Sequence, residues 1–89
     1  MSSEASITKI VGENVRRARE AIGLSQEELG DKAGIDRTYV SGVERGVRNP
    51  TVKVLARLAD ALGVPPAQLL ARGEGAAQGG ESRRSGSSS

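Results

Sequence analysis

The chain has no cysteine, histidine, tryptophan or phenylalanine, and a single tyrosine among its 89 residues. Without cysteine there are no disulfides, and without histidine as well the usual zinc sites are gone. The commonest general base is also missing, which leaves only carboxylates for such a role. With one aromatic side chain available, any core must be built from Ile, Val, Leu and Ala. No apolar run approaches membrane-spanning length, and the polar residues 1–6 do not resemble a signal peptide, so the expected location is the cytoplasm. There is no phosphate-cradling glycine loop either. The expectation is a protein that is not an enzyme, with no metal, cofactor, membrane partner or small-molecule substrate.

What is present is unevenly charged. The formal net charge is only +2. Residues 37–57 nevertheless carry Arg37, Arg45, Arg48, Lys53 and Arg57 against the single acid Glu44. Residues 20–36 reverse the balance, with Glu20, Glu27, Glu28, Asp31 and Asp36 against Lys32. Separating charge in this way suits one face to a polyanion.

The apolar residues recur at helical intervals throughout, and nothing reads as strand. Val11, Val15, Ala18 and Ile22 share one face of a first helix from about Ile7 to Ile22, closed by Gly23. Ser25 stands three residues before Glu28, the spacing of a capping box, and opens a second helix with Leu29 and Ala33 inward. Gly34 and Ile35 form a turn, with Ile35 plugging the angle between helices. Asp36 is the N-cap of a third helix that turns Val40 and Val43 inward and ends near Arg45. Thr51 caps a fourth helix, striped by Val54, Leu55, Leu58, Ala59 and Leu62 and closed by Gly63. Pro65 and Pro66 suit the start of a short fifth helix through Leu69 and Leu70. The expected organisation is a flexible N-terminus over 1–5, one compact all-α domain of five helices over 6–72, and a disordered tail over 73–89. That tail, mostly Gly, Ser, Ala and Gln, has too little apolar surface to offset the cost of ordering. A domain of roughly 65 residues is small, but helical domains of that size fold alone.

Residues 24–50 are the most informative stretch. A short helix, a glycine-containing turn and a second short helix allow one helix to brace against a DNA backbone while the next enters the major groove. The leading residues of the second helix then face base edges. Arg37 can bond O6 and N7 of guanine, and Thr38 can donate, accept or pack its methyl group on thymine. Tyr39 either aims its hydroxyl at DNA or serves only to pack. Ser41 lies one turn further along.

Several segments carry a family resemblance: Leu24-Ser25-Gln26 with Glu28-Leu29, Ala33-Gly34-Ile35, Val43-Glu44-Arg45-Gly46, Asn49-Pro50, and Leu58-Ala59 with Ala61-Leu62-Gly63-Val64. Over about residues 7 to 70 the chain resembles the lambda-repressor-like, Xre-type helix-turn-helix regulators. The run Asp36-Arg37-Thr38-Tyr39-Val40-Ser41-Gly42-Val43-Glu44-Arg45 is similar to the small controller proteins of restriction–modification systems, which are dimeric and have no separate ligand domain. The resemblance implies phosphate contacts from Gln26, Arg48 and Asn49, with Ser25 able to add one to its capping role and Lys53 near the start of the fourth helix as another. It also implies a structural ion pair between Arg19 and Glu44, which explains the lone acid in a basic region. Arg45 and Arg57 serve either the DNA backbone or solvent, while Arg16 and Arg17 are expected to be solvated. Many family members carry a longer side chain where this chain has Gly42, a residue that costs a helix about 1 kcal/mol relative to alanine. This departure narrows the expected base readout to Arg37, Thr38, Tyr39 and Ser41.

One recognition helix reads only a few base pairs, so a homodimer on an inverted repeat of double-stranded DNA is expected. Val64, Leu69 and Leu70 offer an apolar surface for pairing, the alternative being that they complete the monomer core. Promoter occupancy would repress by occlusion or activate by touching RNA polymerase. The competing reading is an antitoxin or adaptor acting mainly through a partner protein.

Overall fold

The computed structural model describes residues 3–72, and all regular structure among them is helical. Five helices follow in order: α1 (Ser3–Ala21), α2 (Gln26–Ala33), α3 (Arg37–Glu44), α4 (Val52–Leu62) and α5 (Pro66–Leu69). The all-α five-helix reading holds. The start of α1 lies four residues before the expected one, because no glycine or proline interrupts residues 3–6 and Glu4 and Ala5 are sound helix formers. The tail at 73–89 lies outside the described residues. No helix among those described is long and apolar enough to cross a membrane.

The helix boundaries are set by local chemistry. The Ser25 hydroxyl accepts from the Glu28 N–H at 3.0 Å while the Glu28 carboxylate accepts from the Ser25 N–H at 2.8 Å. Such a reciprocal cap is worth about 1 kcal/mol. Thr51 accepts from the Val54 N–H at 3.1 Å, and Asp36 accepts from the Thr38 N–H at 2.9 Å. Between α2 and α3, Gly34 takes a left-handed conformation (φ 72°) and the Ile35 N–H donates to the Gly30 carbonyl at 2.8 Å. That bond folds the chain back sharply enough for Ile35 to pack against the core from inside the angle.

The core is entirely aliphatic. Val11 and Val15 of α1, Leu29 of α2, Val40 and Val43 of α3, Leu55, Leu58, Ala59 and Leu62 of α4, and Leu69 of α5 are all buried in it. Helix α3 packs on α1 and α2, α4 packs on α2, and α5 closes against α4 and α1. Where α1 crosses α3 the backbones nearly touch: a Cβ on Gly12 would lie 2.3 Å from the Val43 carbonyl oxygen.

Two apolar assignments need correction. Ile22 does not extend the inward face of α1; it is 50% exposed. The helix ends at Ala21, and the Leu24 N–H turns back to the Arg19 carbonyl at 3.1 Å, so Ile22 has left the helical register. Leu69 is not interface surface; at 1% exposure it belongs to the core, whereas the adjacent Leu70 is 49% exposed. A feature absent from the sequence reading fastens this end of the fold. The buried Asn14 side chain donates to the carbonyls of Leu69 (2.9 Å) and Ala71 (2.7 Å), satisfying groups left orphaned at the end of α5. Arg17 is exposed, as expected, and also donates to the Asn14 side-chain oxygen at 3.1 Å.

Candidate nucleic-acid interface

Helix α3 is two-faced. Val40, Gly42 and Val43 are buried, while Arg37 and Thr38 are exposed and Tyr39 and Ser41 are half-buried. The four residues expected to read bases therefore lie off the buried face. Their freedom differs, however. The Thr38 hydroxyl donates to the Asp36 carboxylate, so its proton is engaged within the domain. The Tyr39 ring packs against the core beneath the Arg48 guanidinium, whose carbon sits 5.3 Å from the ring centroid. This geometry is a cation–π contact. Hydrogen bonds from Thr38 and the nearby Arg37 charge hold the Asp36 carboxyl below its ordinary range.

The far end of α3 is clamped to α1. The Glu44 carboxylate accepts from Arg19 Nε at 2.7 Å and from Arg19 Nη2 at 3.0 Å, a bidentate pair. Arg19 Nη1 donates to the Leu24 carbonyl at 2.8 Å. The Arg19 side chain is only 12% exposed and that of Glu44 only 4%. The Glu44 hydrogen bond raises the Arg19 guanidinium above its ordinary pKa despite desolvation, so the arginine stays charged. The ion pair between Arg19 and Glu44 is thus present and mostly buried.

Glu44 has a third donor. Gln26, half-buried in the first turn of α2, donates its amide to Glu44 Oε1 at 3.1 Å. One carboxylate thereby fixes α1, the entrance of α2 and the end of α3 relative to each other. Around it opens a cleft of about 260 Å³ lined by Arg16, Arg19, Glu20, Gln26, Glu44 and Arg45. The cleft brings Arg45 and Arg16 beside Gln26, although Arg16 also makes an exposed pair with Glu20 at 3.3 Å. Such a surface pair contributes little. Ser25, Arg48, Asn49 and Lys53 are all exposed. Val64 is half-buried against the core.

A helix-turn-helix family model matches residues 15–69, more than half of the chain and all four elements from α2 to α5. The chain belongs to the helix-turn-helix family. Its domain is of the Xre type. It is 48% identical over 62 residues to the HTH-type transcriptional regulator y4dJ of Sinorhizobium fredii, covering 70% of this chain and 80% of that protein. It is 46% identical over 66 residues to the control protein C.SmaI of Serratia marcescens, covering 74% of this chain and 79% of the relative. Among solved structures, the restriction-modification controller protein C.AhdI from Aeromonas hydrophila superimposes with a TM-score of 0.70 at 44% identity, over 72% of this chain and 97% of that one. The helix-turn-helix unit here is α2, the Gly34–Ile35 turn and α3, so Arg37, Thr38, Tyr39 and Ser41 stand on its second helix.

Proposed function

We propose that the protein is a sequence-specific transcriptional regulator of double-stranded DNA, with α3 lying in the major groove. The observation that carries this reading is the rigid presentation of α3. Its inner face is locked in an aliphatic core, its end is clamped by Arg19 and Gln26 through Glu44, and its outer face holds Arg37, Thr38, Tyr39 and Ser41. Preset geometry of this kind favours readout, because the helix that carries the side chains need not first be ordered.

Phosphate contacts are assigned to Ser25, Gln26, Arg48, Asn49 and Lys53, with Arg45 joining Gln26 at the rim of the cleft. Most of the binding free energy comes from these neutralising contacts, and base contacts supply the selectivity. Two copies bind an inverted repeat, placing their α3 helices in successive major grooves about 34 Å apart. The exposed Leu70, with Val64 beside the core, forms the apolar part of the pairing surface. Likeness to C.SmaI and C.AhdI supports a compact controller-type regulator that acts by occupying a promoter.

The test is selection of bound sites from a random duplex library at near-physiological salt. Enrichment of an inverted repeat is expected. Enrichment of a lone half-site would remove the dimer, and no enrichment would replace DNA with a protein partner.

A further inference from the structure

Gly42 lies within α3, yet it is buried. Its cover comes from Arg48, six positions along and in the loop beyond the helix. A Cβ built on Gly42 would lie 2.5 Å from Arg48 Cγ, with Arg48 Cβ and Cδ at 3.4 and 3.5 Å. The shortest of these is far inside ordinary carbon–carbon contact. The Gly42 carbonyl also anchors the loop, accepting from the N–H groups of Val47 at 3.0 Å and Arg48 at 3.1 Å. Beyond this seat the Arg48 guanidinium lies over Tyr39, 5.3 Å from the ring centroid. The arginine is thus held at its backbone, its stem and its head while remaining exposed.

We propose that Gly42 is a positioning residue for Arg48. Lacking a side chain, it gives the arginine stem a seat across α3 and so presets the guanidinium for a DNA phosphate. The inference rests on the DNA-binding reading above. A long flexible side chain loses rotamer freedom when it meets its partner, and one already seated loses less. The missing side chain at 42 is replaced from the loop. With the Arg48 backbone tied to the Gly42 carbonyl, an alanine at 42 can be accommodated only if the stem rotates away, taking the head off Tyr39. Helix propensity predicts the opposite sign, because alanine favours a helix over glycine.

The test compares the full chain with Gly42→Ala, Arg48→Ala and the double variant. Without DNA, the Arg48 side-chain protons should show an upfield ring-current shift from Tyr39 that disappears in Gly42→Ala. With a duplex carrying the selected site, Gly42→Ala should weaken binding roughly 2- to 10-fold per subunit. It should also lower the salt slope by up to about one unit per subunit, toward the value of Arg48→Ala. The double variant should bind no more weakly than Arg48→Ala alone, and any loss of melting temperature in Gly42→Ala should be recovered in it. Additive losses, an unchanged salt slope or a retained ring-current shift would each overturn the proposal. Failure of the wild-type chain to bind any duplex would sink the DNA reading with it, whereas binding with additive losses sinks this inference alone.

Discussion

At the scale of single residues, Glu44 carries more than its charge suggests. It is the acceptor for Arg19 and Gln26 from two other helices, and it is almost wholly buried. Truncation leaves the mostly buried Arg19 guanidinium with only the Leu24 carbonyl and the longer 4.0 Å contact to Glu20, so Glu44→Ala should destabilise the domain by about 3 kcal/mol in denaturant unfolding. A change below about 1 kcal/mol would mean that the pair behaves as an exposed one. Asp36 makes a different prediction. Its hydrogen bonds from Thr38 depress the folded-state pKa, so its contribution is present above the ordinary aspartate value, about 3.9, and is lost as pH falls through the lower folded value. The Thr38 amide resonance should therefore titrate with a midpoint below that of a free aspartate. A midpoint at or above it would show that the cap does not hold in solution. The pairing of Arg19 with Glu44 was legible only through family resemblance, since 25 positions separate the two residues. The third partner, Gln26, gave no local sign of reaching the same carboxylate.

At the scale of elements, what was legible was local. Ser25 with Glu28, Asp36, Gly34, Thr51 and Gly63 each act within four residues of their own position, and each caps or ends the helix expected of it. Contacts between distant segments were not legible. Periodicity carried the apolar face of α1 one position too far, to Ile22, because the turn at Gly23 rather than the spacing decides where that face stops. It likewise could not separate Leu69 from Leu70, since a four-residue helix is too short to define a face. Gly12 is the sharpest example: nothing near it in sequence indicates that the α3 backbone lies against it. Gly12→Ala should force α1 and α3 apart and destabilise the domain by about 2 kcal/mol, read by thermal melting. Stabilisation, as helix propensity alone would give, would contradict the close crossing.

At the scale of the whole molecule, the proposed function requires two copies of the domain to pair. In the proposed dimer the pairing surface depends on Leu70, which is exposed beside the core, and not on Leu69 within it. Leu70→Glu should shift sedimentation from dimer to monomer while leaving the helical circular dichroism spectrum intact. A variant that remained dimeric would move the interface elsewhere. If α3 reads bases while the surrounding residues hold it to phosphates, Arg37 at its exposed start is the principal reader. The most direct measurement is the ratio of affinities for the selected site and for a scrambled duplex, in the wild-type chain and in Arg37→Ala at one salt concentration. A loss of about 1–3 kcal/mol per subunit confined to the selected site is expected. Equal losses on both duplexes would make Arg37 a phosphate contact and leave α3 without its principal reader.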